Sequence, residues 1–167
     1  MKKIYILEDN RIVLETLKFK LESEFQCEVS FFETGNDLCL NLLRQPDLII
    51  LDYFIESKFR ENGLSVLKKI KNINENIPVI IFSGQHNLKC AVELIQEGAV
   101  DYVNKNDTAS LDEIEDAVRN IFNYRDAKKE LGNIEKSMEK YKKQFSKLRF
   151  FGICLLITLL IALFYRN

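Results

Sequence analysis

The sequence predicts an α/β fold, a five-stranded parallel sheet doubly wound with helices on both faces. Two observations carry this. Short runs of β-favouring apolar residues recur five times, at Lys3 to Leu7, Cys27 to Phe32, Leu48 to Leu51, Val79 to Phe82 and Val100 to Val103. Stretches with helical spacing of their apolar residues separate them. The run Leu48 to Leu51 has no polar alternation, as in a strand buried on both faces. Short connections and right-handed crossovers then make the sheet parallel.

In chain order, Lys3 to Leu7 is rich in Ile and Tyr and closes on Glu8-Asp9-Asn10. Arg11 to Phe25 is a helix with Val13, Leu14, Leu17, Leu21 and Phe25 on one side. The second strand follows from Cys27. Thr34 to Arg44 reads as a helix that buries Leu38, Leu42 and Leu43 and stops before Pro46. The central strand ends in Asp52. Phe54 to Asn62 is polar and irregular, a loop. Gly63 to Ile73 is a helix with Leu64, Leu67 and Ile70 inward. Pro78 opens the fourth strand, which ends at Ser83-Gly84. Leu88 to Glu97 is helical, with Gly98 as its left-handed stop. The fifth strand ends at Asn104-Lys105. Ser110-Leu111-Asp112-Glu113 matches a capping box, so a helix starts at about Leu111. For five such strands the common order is 2-1-3-4-5, flavodoxin-like, with the crevice between strands 1 and 3.

At 167 residues the chain holds one well-cored domain plus an extra element. Hydrophobic content of 47% and charged content of 29% argue against disorder. The net charge of -1 gives no nucleic-acid signal. Its distribution is uneven: residues 1–125 carry 15 Lys/Arg against 21 Asp/Glu, whereas residues 126–149 carry 8 against 4. The four cysteines form no Cys-x-x-Cys pair and the chain has one His, which argues against a zinc site or a disulfide framework and fits a reducing compartment. The amino terminus shows no secretory signal.

Polar groups stand at the strand ends lining the expected crevice. Strand 1 gives Glu8 and Asp9, strand 3 Asp52, strand 4 Ser83, and strand 5 Lys105. Three carboxylates in one pocket repel one another unless a cation joins them. A hard ion such as Mg²⁺ needs only one or two carboxylates plus waters and phosphate oxygens. Ser83 adds a hydroxyl and Lys105 a positive charge, so the set can hold a phosphoryl group on Asp52. Taken singly, each residue has an ordinary reading as a turn or surface position. Their convergence is what points to chemistry. His86, with no companion ligand, reads as a loop or capping residue.

These residues resemble the receiver domain of two-component response regulators, chemotaxis-regulator-like, over residues 2 to about 125. The resemblance rests on Glu8-Asp9, Leu51-Asp52, Pro78-Val79-Ile80-Ile81-Phe82-Ser83 and Tyr102-Val103-Asn104-Lys105. It implies that Asp52 accepts a phosphoryl group from a histidine kinase, a phosphotransfer protein or a small phosphodonor. It implies Mg²⁺ held by Glu8, Asp9, Asp52 and the backbone carbonyl of Phe54, with Ser83 and Lys105 gripping the phosphoryl oxygens. Tyr102 would be an aromatic switch for the face of helix 4, strand 5 and helix 5; an aromatic in a strand also serves simply as core. The sequence departs from the family pattern in three places. The loop from Asp52 to Gly63 is longer, Asn106 replaces the Pro that usually follows the lysine in a cis linkage, and Phe54 and Gln85 stand two residues after Asp52 and Ser83.

The last helix runs on. From Ser110 to Leu148 there is no Pro, and apolar Tyr124, Ala127, Leu131, Ile134, Met138, Tyr141, Phe145 and Leu148 alternate in steps of 3 and 4. This heptad seam predicts a dimerising coiled-coil stalk over 126–149. The alternative is a lone amphipathic helix folded on the body or lying on lipid. Phe150 to Tyr165 is then 16 residues without charge, about 24 Å as a helix. It reads as a short single-pass C-terminal transmembrane anchor over 150–165, or as a segment packed in a helical partner. Six basic residues from Lys136 to Arg149, against Arg166 beyond, place the body on the cytoplasmic face of the inner membrane.

The expectation is a membrane-tethered receiver over 1–125, a phosphoacceptor that assists its own phosphorylation and dephosphorylation rather than an enzyme acting on other substrates. It has no nucleic-acid partner. Two alternatives stay open: a receiver-like membrane scaffold that does not signal, and an aspartyl-phosphate phosphatase. The phosphatase ranks last because such enzymes commonly place a second Asp where this chain has Phe54.

Overall fold

The computed structural model of the chain describes residues 1–54, 62–84 and 87–164, and the side chains of these except at 159 and 162–164. Most of the expected loop after Phe54, together with Gln85, His86 and Tyr165, lies outside the described residues. The chain forms two compact units, Met1–Ile121 and Phe122 onward.

The first unit is built on β1 (Lys2–Leu7), β2 (Cys27–Phe32), β3 (Leu48–Leu51), β4 (Val79–Ser83) and β5 (Asp101–Asn104). They pair in parallel in the order β2-β1-β3-β4-β5. All residues of β3 and β4 are buried, as their unbroken apolar runs require. The β1–β3 register sets Leu7 beside Leu51, and the Asp52 N–H continues the ladder by donating to the Leu7 carbonyl at 2.9 Å. At the other side Ser83 stands beside Asn104, and the Lys105 N–H donates to the Ser83 carbonyl at 2.9 Å. Both functional ends of the sheet are therefore fixed by backbone pairing.

The helices are α1 (Arg11–Glu24), α2 (Gly35–Asn41), α3 (Gly63–Ile73), α4 (Leu88–Gln96) and α5 (Ser110–Phe164). Side-chain oxygens of Asn10, Thr34, Asn62 and Asn87 accept from the free N–H groups at the starts of α1 to α4. Leu17 and Leu21 bury α1, and Val66, Leu67 and Ile70 bury α3. Gly98 closes α4 with φ 99°, the left-handed turn expected of it.

Four local expectations are corrected. The second helix ends at Asn41 and tightens into a 3₁₀ turn, Leu42–Arg44, before Gln45 turns left-handed at φ 52°. The tighter winding moves Leu43 off the buried face, and it is 88% exposed. Val100 is exposed and β5 begins one residue later. The capping box at Ser110 does not form. Asp112 and Glu113 both donate their N–H groups to the Ala109 carbonyl, which makes Ser110 the first helical residue, and the Ser110 hydroxyl faces the Lys105 carbonyl at 3.4 Å.

The second unit is the continuation of α5. Its seam residues Tyr124, Leu131, Ile134, Met138, Tyr141, Phe145 and Leu148 are all exposed in the single chain. Among the described residues no helix is long and apolar enough to cross a membrane. A span over 150–165 is therefore not a feature of the described structure. The described part of that apolar run stops at Phe164, about 22 Å along a helix and short of the usual hydrocarbon thickness.

Candidate functional site

Beyond the carboxyl ends of β1, β3 and β5 lies a cleft of about 640 Å³. Glu8, Asp9, Asn10, Val13, Asp52, Phe54, Gly84, Lys105 and Asn106 line it. Glu8 and Asp52 are buried, only 3% and 5% exposed, whereas Asp9 faces solvent. One carboxylate oxygen from each of Glu8, Asp9 and Asp52 falls within 4.8 Å of the others.

Lys105 ties two of these acids together. Its Nζ lies 2.8 Å from Asp52 Oδ2 and 2.5 Å from Glu8 Oε2. The remaining carboxylate oxygens are held by backbone: the Asn10 N–H donates to Glu8 Oε1 at 3.1 Å, and the Phe54 N–H donates to Asp52 Oδ1 at 3.2 Å. Loss of water on burial pushes both carboxyls above their ordinary range, and the Lys105 ammonium opposes that rise. Asp52 is thus an acceptor-only side chain whose direction is set from two sides.

No cis peptide bond occurs in the described chain, so Lys105–Asn106 is trans. Lys105 reaches Asp52 nonetheless. Asn106, which the sequence flagged only as a departure, has a structural role: its side-chain amide donates to the Gly84 carbonyl at 2.7 Å. That bond joins the turn after β4 to the turn after β5. A carboxamide following a strand-end lysine was the available signal, but its reach across to residue 84 depends on tertiary geometry.

Ser83 is fully buried at the end of β4, and at that level Gly84 forms the cleft wall. Phe54 lines the mouth at 54% exposure and bridges to Asn62 in an isolated antiparallel pair. Tyr102 is half-buried on β5 against the main core and does not line the cleft. Two further residues escaped the sequence reading. A Cβ on Gly63 would stand 2.7 Å from the Asp52 carbonyl oxygen and 2.6 Å from Tyr53 Cα, so only glycine fits there without movement. Tyr53 packs beside Cys90 and Tyr102, and its phenol is pushed up to about 12 by hydrogen bonding to Cys90 and then by burial.

The residue set suits a hard divalent cation. Three carboxylates converge, two of them buried with raised pKa values, and one ammonium leaves their charge uncompensated. The same geometry leaves an Asp52 oxygen beside a cation and facing an open cleft, the arrangement a phosphoryl acceptor needs.

The response regulator receiver domain model matches residues 4–119. The chain belongs to this family. The receiver is 33% identical over 103 residues to the response regulator protein TodT of Pseudomonas putida, covering 61% of this chain and 44% of that protein. It is 28% identical over 106 residues to the virulence transcriptional regulatory protein PhoP of Salmonella typhimurium, covering 63% of this chain and 46% of that one. The chain thus spans about half the length of these curated relatives. Among solved structures, a signal receiver domain from Vibrio parahaemolyticus matches with a TM-score of 0.67 and 26% identity, over 76% of this chain and 94% of that one. A response regulator receiver domain protein from Clostridium thermocellum matches with a TM-score of 0.66 and 25% identity, over 76% and 98% of the two chains. The receiver's five-stranded sheet in the order 2-1-3-4-5 is the fold these structures share with it.

Proposed function

We propose that this chain is a phosphorylatable receiver whose acceptor is Asp52. The observation that carries the reading is the single ammonium of Lys105 shared between Asp52 and Glu8 inside the acidic cleft. An Asp52 carboxylate oxygen attacks the phosphorus of a phospho-histidine or of a small acyl phosphate. The new P–O bond forms as the donor's bond to phosphorus breaks, and the donor keeps that electron pair. Hydrolysis unloads the acceptor: water attacks phosphorus, the P–O bond to Asp52 breaks, and the Asp52 carboxylate and inorganic phosphate result.

Each residue has a role in that exchange. Glu8, Asp9, Asp52 and the Phe54 carbonyl would hold Mg²⁺, which when bound neutralises charge on the transferring phosphoryl oxygens. Lys105 neutralises the same charge from the other side, and the Ser83 hydroxyl donates to a phosphoryl oxygen once it turns towards the cleft. Tyr102 follows Ser83 and alters the face of α4, β5 and α5. The chain acts as a phosphoacceptor that assists its own loading and unloading, with a histidine kinase or phosphotransfer protein as donor and no nucleic-acid partner.

The second unit makes the receiver a tethered one. The exposed heptad seam supports pairing with a second copy. The uncharged run after Arg149, preceded by a basic segment, supports attachment at the cytoplasmic face of a membrane.

Incubation with acetyl phosphate and Mg²⁺, followed by intact mass measurement, tests the acceptor. The expected result is the mass gain of one phosphoryl group, absent in Asp52→Ala and without Mg²⁺. No gain in the native chain would favour a scaffold that does not signal.

A further inference from the structure

The part of α5 beyond Ile121 carries two stripes. Lys129, Lys136, Lys140, Lys143 and Lys147 follow one another at steps of 7, 4, 3 and 4. At 3.6 residues per turn they fall within an arc of about 60°. The apolar seam from Ala127 to Leu148 is centred about 160° further round. A helix pair closed on that seam therefore turns its lysines outward. Lys136, Lys140, Lys143 and Lys147 line a shallow groove of about 430 Å³ on this outer face.

The charge along the helix is not uniform. Residues 126–139 hold 3 basic against 4 acidic side chains, whereas residues 140–149 hold 5 basic and none acidic. The whole positive excess lies in the ten residues that lead into the uncharged run from Phe150. Lys147 is about 4 Å of helix from that run, Lys143 about 10 Å and Lys140 about 15 Å. These distances are comparable to one or two screening lengths at physiological salt, about 8 Å each.

We propose that Lys140, Lys143 and Lys147 form a binding surface for anionic phospholipid headgroups, with Lys142 and Arg149 adding positive charge from beside the seam. The proposal rests on the reading that the apolar tail enters a bilayer, and it adds the chemical class of lipid. An elongated acidic protein would engage the entire lysine stripe equally. The concentration of unopposed charge beside the apolar run favours the lipid surface instead. In a pair of helices both outer faces carry Lys140, Lys143 and Lys147, so six lysines face outward beside the point of entry.

The full chain, incorporated from detergent, is offered vesicles of phosphatidylcholine alone or of phosphatidylcholine with phosphatidylglycerol, and the bound fraction is read by flotation. The expected result is a preference of about tenfold or more for the anionic vesicles, shrinking as salt is raised. A K140Q/K143Q/K147Q variant should float with neutral vesicles as the native chain does and lose most of the preference. Lys129→Gln, about 30 Å from the tail, should keep it. Equal flotation with both vesicles overturns this inference and leaves the tether standing. Flotation with neither overturns the tether and this inference together. Full preference in the triple variant, or an equal loss in Lys129→Gln, overturns the assigned surface.

Discussion

The position of Gly63 Cα fixes the backbone that carries Asp52. A Cβ there would meet the Asp52 carbonyl oxygen at 2.7 Å and Tyr53 Cα at 2.6 Å, both main-chain atoms that cannot rotate away. The Gly63 N–H also donates to the Tyr53 carbonyl at 2.8 Å. Gly63→Ala should therefore cost about 1–3 kcal/mol through overpacking. Thermal unfolding should show a drop of roughly 5 °C or more, and phosphoryl uptake from acetyl phosphate should slow. An unchanged melting temperature would mean that the segment yields freely.

Lys105→Met removes the cation shared by Glu8 and Asp52. Two buried carboxylates then face each other without compensation, a loss of about 3 kcal/mol near neutral pH. At about pH 5 the loss should be smaller, because protonated carboxyls no longer need the ammonium. Uptake of phosphoryl at Asp52 should fall at least about tenfold. Denaturant unfolding at both pH values and mass measurement check the two halves. Equal destabilisation at both pH values would disprove the electrostatic account.

The raised pKa values of Glu8 and Asp52 set a pH dependence. As pH rises, these carboxyls ionise first in the unfolded chain, near 4.5 and 3.8, and later in the folded one. Within that window the unfolded state binds fewer protons, so stability contributed by these groups falls with rising pH. Mg²⁺ competes with the same protons, so its stabilisation should grow in the opposite direction. At a hundredfold excess over its dissociation constant it adds about 2.7 kcal/mol. Melting curves with and without Mg²⁺ should separate more near pH 7 than near pH 5. A separation independent of pH would place the ion elsewhere.

Phe54 covers the mouth of the cleft with an apolar ring, and its N–H anchors Asp52. Phe54→Asn keeps that backbone bond and introduces an amide able to orient water. The lifetime of the phosphorylated form should shorten about several-fold. Decay of the mass-shifted species after removal of phosphodonor measures it; an equal lifetime would remove residue 54 from control of hydrolysis.

Met138→Glu puts a charge in the middle of the apolar seam. Self-association should weaken by at least about tenfold, because a seam glutamate must be desolvated on pairing. Sedimentation of the native and variant chains would decide this, and a monomeric native chain would refute the pairing.

The sheet was legible because β3 and β4 are buried on both faces and so carry uninterrupted apolar runs, in strands four and five residues long, too short for a helix. The acids followed from strand order, since the ends of the adjacent strands β1 and β3 must meet; Lys105 stands beyond β4 and reaches Asp52 and Glu8 through its long side chain. Helix ends were less legible. Leu42–Arg44 keeps a helical pattern in sequence while winding as a 3₁₀ turn, and periodicity cannot separate the two. Gly63 and Asn106 went unread for a different reason. Their roles are contacts with residues 52 and 84, and nothing local to either one encodes the partner.

The shared lysine also says what kind of event loading must be. Before any ion or phosphoryl group arrives, the described residues of the cleft hold three carboxylates against one ammonium, an excess of two negative charges among them. One divalent cation cancels it. Converting the Asp52 carboxylate into an acyl phosphate would add roughly one further negative charge, and the Lys105 ammonium is already divided between two acids. On the proposed reading, Lys105 would then shift from Glu8 towards the new oxygens. The first thing the protein would sense of its signal is one cation trading partners, and β5, which ends one residue before that lysine, is the strand placed to feel it.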